Sequence, residues 1–114
     1  SNSAIKPFYK ARMQQAVDWF RDSLRGIPYR IHQPEGAIFL WLWFEGLPIS
    51  SQELYDRLKS RGVLIVPGHN FFPGIEQDWK HKDECIRVSY SQDEASVQRG
   101  VRLIGEEVRR AFAE

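Results

Sequence analysis

Gly36-Ala37-Ile38-Phe39-Leu40-Trp41-Leu42-Trp43-Phe44 is an unbroken apolar run behind a leading glycine. Its members are β-branched, aromatic or leucine, with Ala37 the one small residue. Pro34-Glu35-Gly36 precedes the run and Gly46-Leu47-Pro48 follows it. Length and punctuation predict a buried strand, and the run is too short for a spanning helix. Side chains alternate along a strand. Ala37, Phe39, Trp41 and Trp43 therefore share one face, and Ile38, Leu40, Leu42 and Phe44 the other. Both faces are apolar and both need cover. A chain of 114 residues layers helices over one face of a sheet. The second face implies that part of the protein lies outside this sequence.

Working outward, Pro34-Glu35-Gly36 predicts a tight turn that makes the run the second arm of a hairpin, with residues 29–32 as the first. Residues 6–26 carry apolar side chains at Tyr9, Met13, Ala16, Val17, Phe20 and Leu24, which is helical spacing ended by Gly26 and Pro28. Ser50-Ser51-Gln52-Glu53 reads as a capping box, with Ser50 capping and Glu53 reaching back. Leu54, Tyr55 and Leu58 form the buried stripe of that helix, and Gly62 is its terminating glycine. Residues 63–66 predict a second apolar strand ended by Pro67-Gly68, and residues 69–83 one long loop. Residues 84–90 alternate, with Ile86, Val88 and Tyr90 on one face and Cys85, Arg87 and Ser89 on the other. Ser91-Gln92-Asp93-Glu94 predicts a cap for a last helix marked by Val97, Val101, Ile104, Val108 and Phe112. Gly100 and Gly105 weaken that helix and suit close packing on the sheet. Arg109 and Arg110 lie where its dipole favours cations. The order α-β-β-α-β-β-α predicts an α+β, two-layer sandwich: a small, mainly antiparallel sheet with helices on one face.

The apolar fraction of 42% is that of a globular chain, and a net charge of +1 gives no electrostatic case for nucleic acid or a membrane surface. Cys85 is the single cysteine, so no internal disulfide forms, and a reducing, cytoplasmic setting is expected. Ser1-Asn2-Ser3 reads as an expression scar, leaving residues 4–114 as one domain.

Arg87 is the sharpest candidate for chemistry. Only small residues, Cys85 and Ser89, flank it on its strand face, so its guanidinium is placed to grip a carboxylate with two parallel bonds. The alternative is a solvent-facing arginine paired with a nearby acid. His81 and Cys85 have the i, i+4 spacing that a helix uses to bind metal, but the segment reads as loop into strand; a zinc site with His69, His32 and Asp83 is the minor alternative, since no CxxC or HxxxH pair is present. His69 and Asn70 suit a pocket or a turn, and Phe71 and Phe72 an apolar wall or a loop anchor. No Walker loop, GxGxxG, GxSxG or catalytic carboxylate pair is present. Trp41 and Trp43 lack the interleaved basic residues of RNA-binding strands.

Arg61-Gly62-Val63-Leu64-Ile65-Val66-Pro67-Gly68-His69-Asn70-Phe71-Phe72, followed by Cys85-Ile86-Arg87-Val88-Ser89-Tyr90, resembles the C-terminal small domain of fold-type-I, pyridoxal-phosphate-dependent class I/II aminotransferases. That family has a G-V-x-x-x-P-G-x-x-F stretch shortly before an I-R-x-S/N strand. With Glu35 and the run from Gly36 to Phe44, the likeness covers residues 5–113. The resemblance implies that Arg87 binds the substrate α-carboxylate, and that His69, Asn70, Phe71 and Phe72 face the substrate or the domain cleft. It implies pyridoxal 5'-phosphate in a homodimeric parent acting on valine, alanine and pyruvate. The family's Schiff-base lysine, pyridine-nitrogen aspartate and phosphate-binding residues belong to its large domain. None of the five lysines here (Lys6, Lys10, Lys59, Lys80, Lys82) lies in the family's Ser-x-x-Lys context. The chain is therefore expected to be an excised domain that binds no cofactor, is inactive alone and self-associates through its uncovered face. A free-standing interaction module using that aromatic face is the alternative.

Overall fold

A computed structural model describes residues 7–34, 36–68 and 80–114. Helix α1 spans Pro7–Ser23, strand β1 Tyr29–His32, β2 Phe39–Phe44, helix α2 Ser51–Lys59, β3 Val66–Pro67, β4 Cys85–Ser89 and helix α3 Glu94–Ala113. A 3₁₀ turn at Lys80–Glu84 leads into β4. The sheet order is β1-β2-β4-β3 and all three pairings are antiparallel. This is the expected α+β sandwich.

The hairpin forms as its turn residues require. The Ala37 amide donates to the Pro34 carbonyl at 3.2 Å, and Gly36 takes a φ of +76° that suits a residue without Cβ. Strand β2 begins at Phe39, two residues later than the apolar run suggests. Alternation then sorts the sheet into two faces. Leu40, Leu42, Phe44 and Ile86 are fully buried, and Val88 and Tyr90 nearly so. They share one core with Phe20 of α1, Leu54 and Leu58 of α2, and Val101, Ile104 and Val108 of α3. Phe39, Trp41 and Trp43 are only half-buried on the opposite face. Of the described helices none contributes a core position to that side.

Several local expectations change. The third strand is Val66–Pro67 rather than 63–66, because Val63 is spent on ending α2. Its amide donates to the Leu58 carbonyl, next to a Gly62-to-Lys59 bond, with Gly62 at φ +81°, which is the Schellman pattern. Pro67 is tolerated because β3 is an edge strand. The segment from 69 to 83 is not all loop, since Lys80–Glu84 is a 3₁₀ turn. Ser50 caps α2, accepting from the Glu53 amide at 3.1 Å. The Glu53 carboxylate does not reach back but takes the Arg57 guanidinium one turn on. The cap of α3 is Asp93, not Ser91: its carboxylate accepts from the Ser96 amide at 3.1 Å and the Ser96 hydroxyl at 2.7 Å. Gly105 packs on the end of α1 rather than on the sheet. A Cβ there would lie 1.8 Å from Ser23 Oγ and 2.7 Å from the Ser23 carbonyl. Arg109 serves that same helix end, donating to the Ser23 and Arg25 carbonyls at 2.8 and 3.2 Å, where a cation meets the negative end of the α1 dipole. Expectations for His69, Asn70, Phe71, Phe72 and Ser1-Asn2-Ser3 lie outside the described residues. Among the described residues no helix is long and apolar enough to cross a membrane.

Candidate functional site

The face turned away from the helices is built by cross-strand register. Arg30 of β1, Trp43 of β2 and Cys85 of β4 lie in one row, and His32, Trp41, Arg87 and Val66 in the next. Phe39 stands opposite Ser89 beyond them. Arg87 thus occupies the middle of the sheet, on its open face, as strand alternation requires.

The surroundings of Arg87 explain its half-buried state. Its guanidinium carbon lies 4.5 Å from the centroid of the Phe39 ring, a cation–π contact that holds the planar group without occupying its N–H donors. Among the described residues no carboxylate or hydrogen-bond acceptor pairs with it. Arg57 on α2 and Arg61 just beyond it behave differently: Arg57 pairs with Glu53 and Glu114, and Arg61 with Glu106 and Glu107. Arg87 faces a hollow of about 340 Å³ lined by Ile38, Phe39, Leu64, Val66, Ser89 and Gln92. Ile38 and Leu64 are 40% and 67% exposed. A guanidinium with no acidic partner among the described residues, beside the hydrocarbon of Ile38, Phe39, Leu64 and Val66, suits a small molecule with a carboxylate at one end and hydrocarbon at the other.

Trp41, Trp43, Arg30, His32 and Cys85 border a second, largely apolar groove of about 390 Å³ on the same face. Arg30 lies over the Trp43 ring at 5.6 Å and pairs with Glu45 at 2.8 Å. Cys85 is buried. Burial, and then the charge of Glu84, push its thiol up to about 11, so it stays protonated and is no metal-ready thiolate. Among the described residues no group of three or more His, Cys, Asp or Glu side chains is placed to hold a metal ion.

Glu84, which the sequence did not single out, is a buried carboxylate beside this groove. It accepts from Trp43 Nε1 at 2.9 Å, from the Gly46 amide at 3.1 Å and from His81 Nδ1 at 2.8 Å. Burial alone would push its pKa up. The hydrogen bonds from His81, Trp43 and Gly46, and then the His81 charge, outweigh burial and bring it below the ordinary value of 4.5. A carboxyl whose pKa falls on folding stabilises the fold above its ordinary range and loses that contribution as pH drops through the folded value. Unfolding midpoints of the wild-type chain and of Glu84→Gln should therefore converge as pH falls below about 4.5. Parallel pH dependence in urea titrations of the two would contradict this. The signal for Glu84 was absent from the sequence because Trp43 and Gly46 come near it only through the β2–β4 register.

The cofactor implied by the resemblance needs a lysine amine for its aldehyde and several donors for its phosphate. No lysine lines the hollow at Arg87. Lys59 lies over the Tyr55 ring on α2, and Lys10 is exposed on α1. Beside Arg87 the described residues add only the neutral donors Ser89 and Gln92 and no second cation for a phosphate. The described residues do not by themselves form a site for pyridoxal phosphate.

The profile of the family "Aminotransferase class I and II" matches residues 7–104. The chain is 50% identical, over all of its 114 residues, to the valine–pyruvate aminotransferase of Escherichia coli K12, of which it covers 27%. It superposes on the crystal structure of valine-pyruvate aminotransferase from Salmonella typhimurium LT2 with a TM-score of 0.89 and 50% identity, covering 96% of this chain and 28% of that one. A putative amino-acid aminotransferase from Psychrobacter arcticum 273-4 gives a TM-score of 0.90 at 49% identity, covering 96% of this chain and 25% of that one. The chain thus spans about a quarter of the length of the relatives it matches. The family profile covers most of the chain, and its small antiparallel sheet with one helix-covered face is shared with these enzymes; the chain belongs to the class I and II aminotransferases.

Proposed function

We propose that this chain is the C-terminal small domain of a cytoplasmic, pyridoxal-phosphate-dependent aminotransferase that exchanges an amino group between valine or alanine and 2-oxo acids such as pyruvate. Arg87 grips the substrate α-carboxylate. The observation that carries this reading is the Arg87 guanidinium, without an acidic partner among the described residues and stacked on Phe39 at 4.5 Å in a hollow of mixed apolar and polar lining. A bound carboxylate would complete it with two parallel, charge-assisted hydrogen bonds. The hydrocarbon of Ile38, Phe39, Leu64 and Val66 accords with a small apolar amino acid. Identity with valine–pyruvate aminotransferase along the whole chain supports the same substrates.

The lysine that holds the cofactor as a Schiff base, and the groups that hold its phosphate, then come from outside this chain. When bound, the cofactor supplies the electron sink for amino-group transfer. This chain's part is to orient the carboxylate. Purified alone, residues 4–114 are expected to retain no pyridoxal phosphate and to transaminate nothing. An absorption band of a protein-bound aldimine that survives dialysis would contradict that expectation.

The open face would meet the rest of the enzyme, a homodimer in this reading. With Trp41 and Trp43 only half-buried, the isolated chain is expected to self-associate through that face at micromolar concentration. Sedimentation showing a strict monomer would contradict it. The aromatic character that suggested a free-standing interaction module lies on the same face as Arg87, and nothing else favours that alternative.

A further inference from the structure

Glu84 sits where the Lys80–Glu84 turn passes into β4 and is 6% exposed. A carboxylate withdrawn from water needs donors on its oxygens. Its three donors come from three places: the Trp43 indole on β2, the Gly46 amide and the His81 ring. Trp43 pairs with Cys85 in the ladder, so its indole reaches the residue just before its own strand partner. Gly46, at φ +77°, forms the turn that ends β2. Glu84 therefore fastens the start of β4 to the end of β2.

That place bears on Arg87, three residues further along. A slip of one residue would turn Arg87 towards the helices and is forbidden by the apolar pattern. A slip of two keeps every side chain on its face but moves it by about 7 Å along the strand, away from Phe39. The two-residue β3 offers β4 little guidance. At the far end of β4, the Tyr90 hydroxyl donates to the Ala37 carbonyl at 2.8 Å and pins that end. Glu84 pins the near end.

We infer that Glu84 is a positioning residue for Arg87: its hold on Trp43 and Gly46 sets the register and height at which β4 presents the guanidinium beside Phe39. The inference rests on the carboxylate-gripping role proposed for Arg87. A plain structural anchor would cost stability and weaken every ligand alike. A positioning residue changes the discrimination between ligands with and without a carboxylate.

The test uses the full-length, cofactor-loaded enzyme and two ligands, valine and isobutylamine, which is valine without its carboxylate. Glu84→Gln keeps the shape but loses the charge and one acceptor oxygen. Trp43→Phe keeps a ring and loses the donor, and carries the test if Glu84→Gln does not fold. Arg87→Ala is the reference. Glu84→Gln is expected to weaken valine binding by about tenfold, less than the roughly 10²-fold that a 1 Å misplacement can cost. Trp43→Phe should weaken it less, in the same direction, and isobutylamine binding should be unchanged in both. Equal weakening of the two ligands, or wild-type valine affinity in both variants while Arg87→Ala has lost it, overturns the inference. Wild-type valine affinity in Arg87→Ala overturns the reading of Arg87 and this inference with it.

Discussion

Replacing Arg87 with alanine in the full-length enzyme is expected to lower kcat/KM for valine by about 10²-fold or more. Losing one partner of a charge pair in a closed cleft costs roughly 2–5 kcal/mol, and 10²-fold corresponds to the lower part of that range. The size of the effect follows from the site. Among the described residues no second cation lines the hollow beside Arg87; Ser89 and Gln92 offer only neutral donors, which cannot replace its charge. Arg87→Lys should recover only part of the loss. An ammonium is a point charge that cannot make two parallel bonds, and it stacks less well on the Phe39 ring. Cofactor affinity should hardly change, because Arg87 would touch substrate rather than cofactor. Near-wild-type kinetics in Arg87→Ala would return the residue to the status of a surface arginine.

Gly68→Ala is expected to be the most damaging of the small substitutions. A Cβ at Gly68 would lie 1.8 Å from the Lys82 carbonyl oxygen and 2.8 Å from that of Cys85. Both are main-chain atoms, so no side chain can swing aside. Relief requires the turn before β4 to move away from β3, at a cost of roughly 3 kcal/mol by analogy with overpacked interiors. Gly100→Ala is the natural control, because its Cβ would meet nothing closer than the Val63 side chain at 3.8 Å. There the better helix propensity of alanine should add up to about 1 kcal/mol. Chemical denaturation of both variants measures the difference directly. Equal stability of Gly68→Ala and the wild type would mean that β3 and the turn are not held together as described.

The close approach at Gly68 marks the boundary between what was legible in the sequence and what was not. The two faces of β2 could be read from Phe39 to Phe44 because alternation needs no knowledge of the partner strand. For the same reason Arg87 could be assigned to the face opposite Ile86 and Val88. Its contact with Phe39 could not, since that depends on how β4 is set against β2. Glu84 and Gly68 were silent for a related reason: both act through main-chain or side-chain groups far away in sequence. The third strand was misplaced by its apolar composition. Val63 and Ile65 are buried, but Val63 ends α2 and the ladder starts only at Val66. The cap of α3 was placed two residues early because serine and aspartate are both good caps, and the choice between them is made by the chain's path out of Tyr90. Gly105 was correctly read as a site of close packing, but its neighbour is Ser23 on α1, a contact between the first and last helices that no local pattern encodes. The role of Arg87 entered through the ordered resemblance of three stretches rather than through periodicity.

The most direct measurement is a crystal structure of the full-length enzyme with a bound, unreactive valine analogue that keeps the α-carboxylate. The expected result is a carboxylate held by two parallel hydrogen bonds from the Arg87 guanidinium, with Phe39 beneath it and the ligand's hydrocarbon towards Ile38 and Leu64. A carboxylate bound by other residues, with Arg87 turned to solvent or paired with a protein acid, would contradict the account.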